Sequence, residues 1–397
     1  MGRRPETRAV HGGEERRGAY GALTMPIVMS STYTFGGTDE ILAFVEQKAA
    51  SGAPGRYEYA RYGNPTQSAA ERKLAELDGG DRALLFSSGM AAISTCLWSL
   101  LGAGDHLVVV GGVYRRTRDL VSRHLARFGV EATFAPADEL PAAIRPSTRA
   151  VFLEVPTNPH LRVPDIERIV EWTARRRLIT VADATLATPV NVRPLDLGVE
   201  VVVHSATKYI GGHNDLLAGA VIGSAQRLAG LEEARGVFGC VSSPLDAYLV
   251  LRGAKTLPLR VRQQNEAAFR LAEFLESHPA VARVHYPGLP SHPDHPVASR
   301  LMSGFGGVVS FELAGGLDAA AACVDRLSIP YVGPTFGGVE SIVQQQALFV
   351  SPDPAERAES GISDGLIRYS VGLEAVDDLI DDLGEALKGL PVRRRFK

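Results

Sequence analysis

Residues 199–215 read VEVVVHSATKYIGGHND. The run 199–203 is apolar enough for a buried strand. His204, Ser205, Ala206 and Thr207 follow it, then Lys208, then the pair Gly211 and Gly212. Lysine is scarce here, six residues among 42 lysines and arginines. A lysine at a strand end beside small hydroxyl residues makes a poor core residue but a good amine nucleophile next to an anion site. A solvated turn lysine is the plainer reading, and the rest of the chain decides against it.

The bulk properties fit a cytoplasmic enzyme. A chain of 397 residues exceeds one core, so two or more domains are expected. A net charge of -3 gives no reason to expect nucleic acid or an anionic membrane as partner. Cys96, Cys240 and Cys323 are odd in number and widely spaced, which predicts reduced thiols and no disulfide frame. The first residues, MGRRPETRAVHGG, lack the apolar stretch of a signal peptide, and no apolar run reaches membrane-spanning length.

Three parts are expected: an arm at 1–60 that clasps a neighbour, a large domain at 61–255 and a smaller α+β domain at 256–397. The arm is turn-rich, with a helix only at 39–50. In the large domain, helices at 68–77, 91–101, 117–128 and 165–176 alternate with strands at 83–87, 107–110, 150–154, 178–182 and 199–203. That alternation predicts an α/β fold with a mainly parallel sheet flanked by helices. In the last part a long helix at 259–276 precedes strands at 281–285 and 307–313, a helix from Leu317 and a terminal helix at 376–388.

Open α/β sheets bind ligands beyond the carboxyl ends of their strands, and the candidate chemistry gathers there. Asp183 ends LITVAD and Glu154 ends AVFLE, with Asn158 just after. Ser87, Ser88, Gly89 and Met90 lie between a strand and a helix, where backbone N–H groups can bind an anion. Tyr114 follows another strand. Taken alone, Asp183 reads as a turn cap and SSGMAA as an ordinary serine-capped helix start. His285, His292 and His295 sit among prolines and read as a structured loop, so no metal is expected. Together, a lysine, an aspartate, an anion-binding helix start and an aromatic describe a pyridoxal phosphate site. The lysine joins the cofactor, the aspartate keeps its ring nitrogen protonated, the helix start holds the phosphate and the aromatic stacks on the ring.

The stretches TRAVHGG, YARYGNPT, SSGMAA, VPTNP, HSATKYIGGHND, HYPGLPSHP, FGGVESIV and IRYSVGLE resemble the pyridoxal-phosphate-dependent enzymes of cysteine and methionine metabolism over nearly the whole chain. VYRRTRDL and IPYVGPTFGGVESIV resemble the plant-type cystathionine γ-synthase branch more than the γ-lyases. The resemblance implies a fold-type I transferase using pyridoxal 5'-phosphate and acting on small amino acids. It implies a homotetramer, a dimer of dimers with shared active sites. Lys208 would bond to the cofactor and move protons, and Tyr114 would stack on the ring and assist. Asp183 would pair with the ring nitrogen. Ser88, Gly89, Met90, Thr185, Ser205 and Thr207 would complete the cofactor site, the glycine, Met90, Ser205 and Thr207 at the phosphate. Tyr59 and Arg61 would reach the neighbouring subunit's cofactor, Tyr59 also touching substrate. Arg368 would clamp the substrate α-carboxylate, with Asn158, Ser341 and Arg115 beside it.

The implied reaction is γ-replacement of an O-activated homoserine by cysteine. γ-Elimination, or the same chemistry on an unusual amino acid, is the alternative. Departures from the family pattern gather near the pocket: Gly111, Gly112 and Val113 before Tyr114, Thr335 before FGG, and Gln344, Gln345, Gln346, Leu348 and Phe349 after ESIV.

Overall fold

Short apolar runs without the alternation of a half-solvated sheet build the centre of the molecule. The structure, a computed structural model, describes residues 4–51, 55–351, 353–359 and 361–392. Seven strands of the first sheet are β1 (Arg82–Phe86), β2 (His106–Val110), β3 (Glu131–Ala135), β4 (Thr148–Glu154), β5 (Ile179–Asp183), β6 (Val201–Ser205) and β7 (Gly219–Gly223). Their order is β1-β7-β6-β5-β4-β2-β3. The pairs from β6 to β3 are parallel, while β7 runs antiparallel to both β6 and β1.

Alternate residues of each strand serve opposite faces. Phe86, Val109, Phe152, Val181 and Val203 enter one core. Leu85, Val108, Val110, Leu153, Ala182 and Val202 enter the other, which continues into the C-terminal part. Helices cover both faces, and polar caps fix several of their starts. Asn64 accepts from the N–H groups of Thr66 and Gln67, and Ser88, Asp165, Ser224 and Ser243 act likewise.

The second sheet holds β8 (Val281–His285), β9 (Val308–Leu313), β10 (Tyr331–Val332), β11 (Ile342–Gln345) and β12 (Leu366–Ser370), in the order β10-β11-β12-β9-β8. Only β10 and β11 pair in parallel. The helices Leu257–Ser277 and Gly316–Arg326 pack on it, and Val376–Leu387 packs on those two helices.

Several elements differ from expectation. The strand expected at 199–203 begins at Val201 and runs on to Ser205. Val199 and Glu200 spend their N–H groups on the Pro194 carbonyl and on the Thr180 hydroxyl of β5, not on a strand ladder. The helix expected at 117–128 begins at Arg115 and changes pitch after Asp119. Unexpected elements include β3, β7, β10, β11, β12 and the helices Ala225–Phe238 and Pro244–Ala254. The arm has a second helix, Pro5–His11, docked by the buried Lys73, whose Nζ donates to the Ala9 carbonyl at 2.8 Å. No helix among the described residues is long and apolar enough to cross a membrane. Cys96, Cys240 and Cys323 are free.

Candidate active site

Three parallel strands deliver their last residues to one place: Glu154 from β4, Asp183 from β5 and Ser205 from β6. Glu154 and Asp183 stand directly opposite each other in the pairing. Thr185 donates to Asp183 Oδ1 twice, through its N–H at 3.0 Å and its hydroxyl at 2.5 Å. That hydroxyl in turn accepts the Ser205 N–H at 2.8 Å, which ties the ends of β5 and β6 together. Burial pushes the Asp183 carboxyl up, while the two Thr185 bonds and the nearby His204 oppose the push. Glu154 is raised well above the carboxylate range by burial and by the Asp183 charge. The N–H groups of Tyr114 and Asn158 oppose that rise at Glu154. Behind them His204 Nε2 meets Asp78 Oδ1 at 3.1 Å, both side chains fully buried. Burial alone would lower the His204 imidazole, but the Asp78 carboxylate overrides it and the group is raised.

The helix Gly89–Leu100 starts against the end of β6. Ser88 caps it through the Ala91 N–H, leaving other first-turn amides to face a ligand. Gly89 approaches Ser205 so closely that a Cβ on it would stand 2.7 Å from the Ser205 Cβ. Met90 lies against the Thr117 hydroxyl. The Thr207 hydroxyl exchanges bonds with the N–H and carbonyl of Ala218, so the 207 side chain is braced by its own loop.

The second sheet supplies the other wall. Lys208 Nζ donates to Thr335 Oγ1 at 2.6 Å. Arg368, in β12, donates from Nη2 to the Thr335 carbonyl at 3.0 Å and to Gln344 Oε1 at 2.6 Å, and from Nη1 to Asn158 Oδ1 at 3.2 Å. Its Nε is buried and meets no acceptor among the described residues. Lys208 Nζ and the Arg368 guanidinium share the ring of Phe336, at 4.9 and 5.3 Å from the centroid. Burial, with Arg368 nearby, brings the Lys208 amine down to about 8. Burial brings Arg368 down to about 10. Glu154 accepts from the N–H groups of Tyr114 and Asn158, fixing both loops beside this pair. Tyr114 is exposed, and Arg115 Nη1 reaches the Phe349 carbonyl at 3.4 Å.

The expected residues thus divide. Lys208, Asp183, Thr185, Ser205, Ser88, Gly89, Asn158 and Arg368 are linked through the contacts above. Ser341 is fully buried, its hydroxyl donating to Glu374 and accepting from Gly372 N–H. Tyr59 and Arg61 lie on the arm side, where Arg61 donates to the Gly236 carbonyl and packs over Tyr62. Sequence reading named Thr335 and Gln344 as departures but missed their contacts with Lys208 and Arg368. It missed Phe336 and the His204–Asp78 pair altogether. The only advance signal for the latter was a histidine inside a valine run.

These donors fit pyridoxal phosphate. Asp183 offers a buried carboxylate whose Oδ2 meets no donor among the described residues, suited to a protonated ring nitrogen. The start of the helix and Ser205 form a close-walled cradle for a phosphate. Lys208 is an amine held near neutrality, and the orphaned Arg368 Nε is one tooth of a fork for a carboxylate.

Comparison with known proteins agrees. A family model described as Cys/Met metabolism PLP-dependent enzyme matches residues 6–388. Cystathionine gamma-synthase 1, chloroplastic, of Arabidopsis thaliana is 45% identical over 389 residues, covering 96% of this chain and 68% of that protein. L-methionine gamma-lyase of Fusobacterium nucleatum subsp. polymorphum is 40% identical over 394 residues, covering 96% and 97%. The crystal structure of metB from Corynebacterium glutamicum superposes with a TM-score of 0.89 at 36% identity, covering 97% of this chain and 98% of that one.

Proposed function

The chain belongs to the family of Cys/Met metabolism PLP-dependent enzymes, and from that premise we propose that it acts at the γ-carbon of an O-activated homoserine, replacing the activating group with cysteine as a cystathionine γ-synthase does. The observation that carries the reading is the pairing of Lys208 Nζ with Arg368 across Thr335 and Phe336. When bound, pyridoxal phosphate supplies an electron sink for charge developing at the substrate α-carbon. Asp183, whose charged form Thr185 and His204 favour against burial, would hold a proton on the ring nitrogen. The start of the helix Gly89–Leu100 and Ser205 would anchor the phosphate, and Tyr114 would cover the ring. Arg368 receives the α-carboxylate on its free Nε edge, which orients the α-proton toward Lys208. The Lys208 amine, near 8, would take that proton, must release it to the cofactor before it can take a second from the β-carbon, and would return that one later. Arg115 and Arg116 keep the rim cationic, which suits an anionic leaving group.

A γ-elimination reading has one observation in its favour beside the methionine γ-lyase likeness. The rim residues Leu348 and Phe349 are half-exposed and apolar, where a second, polar amino acid would have to enter. The same reaction on an unusual amino acid stays within this reading. Incubation with O-phospho-, O-succinyl- and O-acetylhomoserine, with and without cysteine, separates the two. Cystathionine as main product supports replacement, and turnover of none of the esters defeats it. Lys208→Ala should abolish the visible absorption of the loaded protein.

The working assembly in this reading is a homotetramer, with Tyr59 and Arg61 reaching a neighbour's cofactor phosphate. The nearly full exposure of Tyr20 and Leu23 in the arm supports it, and light scattering tests it. A cytoplasmic location accords with the three free cysteines.

A further inference from the structure

Arg368 is a buried cation whose side-chain hydrogen bonds, among the described residues, all go to neutral acceptors: Asn158 Oδ1, the Thr335 carbonyl and Gln344 Oε1. The Gln344 bond, at 2.6 Å, is the shortest of the three. It follows from the sheet. Gln344 in β11 stands directly opposite Arg368 in the antiparallel pairing with β12. The next residue, Gln345, points to the other face, where its Nε2 donates to the Leu317 carbonyl.

We propose that Gln344 is a positioning residue that holds the Arg368 guanidinium in place while leaving its charge uncompensated, so that the pocket takes substrates whose α-carboxylate is the missing counter-ion. The proposal rests on the reading of Arg368 as the carboxylate clamp. Each other residue type would fail in a different way. A carboxylate at 344 would pair with the guanidinium and compete with the substrate. An apolar side chain would strand a buried donor. A cation would repel. Only a neutral acceptor satisfies Nη2 without spending its charge.

The same charge acts on Lys208. The ionisable groups facing Arg368 are Lys208, Tyr209 and Tyr114, and Glu154 and Asp183 lie at the strand ends beyond. The lowering of Arg368 by burial is the signature of a cation with no ionic partner. Its field contributes to the lowering of the Lys208 amine. Gln344 thereby supports two steps at once, capture of the carboxylate and a neutral amine at Lys208.

The test uses the loaded enzyme and butyrate, which offers a carboxylate without an amine. Butyrate affinity is read by calorimetry, and the pH midpoint of the visible absorption band is read separately. Gln344→Glu should bind butyrate at least about tenfold more weakly, the size of a charge-assisted bond, and move the midpoint upward. Gln344→Met, of similar volume but lacking the acceptor, should weaken butyrate binding without raising the midpoint. Unchanged butyrate affinity in Gln344→Met overturns the holding role, even if Gln344→Glu does not fold. An unmoved midpoint in Gln344→Glu overturns the charge argument. Arg368→Gln runs alongside. Full butyrate binding in that variant would sink the clamp itself, whereas loss there with none in the Gln344 variants sinks only the role of Gln344.

Discussion

Gly89→Ala puts the phosphate cradle to a steric test. A Cβ at 89 would stand 2.7 Å from Ser205 Cβ, 2.9 Å from its Oγ and 3.0 Å from its Cα. Ser205 cannot yield, because β6 is hydrogen-bonded to β5 on one side and β7 on the other. The start of the helix must retreat instead, against the fully buried Ala92 and Cys96 that seat it on the sheet. Overpacking of this kind costs about 1–3 kcal/mol. If the retreat carries the first-turn amides away from the phosphate, pyridoxal phosphate should bind about 5- to 150-fold more weakly. Titration of the apo-protein with the cofactor, followed by visible absorbance, measures this. Gly230→Ala is the control, since a Cβ there meets nothing within 4 Å and replaces a helical glycine. It should leave cofactor affinity alone. Wild-type affinity in Gly89→Ala would refute the assignment of Ser205 and the start of the helix as the cradle.

Three further outcomes follow from other contacts. Thr335→Val removes the hydroxyl that accepts from Lys208 Nζ, so the ammonium loses a stabilising bond and the amine should fall below its present value of about 8. The pH dependence of cofactor capture by the apo-protein reads this, and Thr335→Ser should restore it. The raised His204 contributes stability that is fully present below its ordinary value of 6.5 and is lost as pH rises through the raised folded value. Urea titrations of the apo-protein across that window should show the loss, and the Asp78→Asn/His204→Asn double variant should lack it. Lys73→Met strips the buried ammonium from the Ala9 carbonyl and from Glu14, at a cost of about 3 kcal/mol. Limited proteolysis should then cut the arm near residues 10–20 faster, and an unchanged rate would contradict the docking role.

The parallel strands β2, β4, β5 and β6 were legible because each is a short apolar run closed by turn residues, whereas β3, EATFA, carries no such run. Glu154 and Asp183 were legible as strand-end acids for the same reason. β7 was not legible. Its sequence, GAVIG, is bounded by glycines that normally mark turns. Yet Gly219 is needed there, because a Cβ on it would come within 2.0 Å of the Ser88 carbonyl oxygen. The position is glycine for the sake of the cradle, and a one-dimensional pattern carries no trace of that. Thr335 and Gln344 were visible as unusual residues but not as partners. Lys208 and Thr335 are 127 residues apart, and Gln344 meets Arg368 only through the register of β11 on β12. The start of the strand at 199–203 was misjudged by two residues because the Val199 N–H goes to the Pro194 carbonyl and the Glu200 N–H to the Thr180 hydroxyl of β5, tertiary contacts that override their strand tendency.

The charges of the site are arranged front and back. Glu154 and Asp183 stand at the strand ends, backed by His204, and Lys208 and Arg368 face them from the side of the second sheet. In the proposed reading, those contacts would serve steps that replacement and elimination share: holding the ring nitrogen's proton, holding a carboxylate, moving a proton at Lys208. The arrangement therefore cannot choose between the two outcomes. The choice requires a difference in who reaches the γ-carbon after the leaving group departs, and that is a property of the rim. At the rim, the contact of Arg115 with the Phe349 carbonyl joins the loop after β2 to the segment after β11. Arg115→Ala should loosen it and change the ratio of cystathionine to 2-oxo acid formed from one ester in the presence of cysteine. Both products falling together at a constant ratio would mean that Arg115 only binds the leaving group, and the choice would have to be sought at Tyr114 instead.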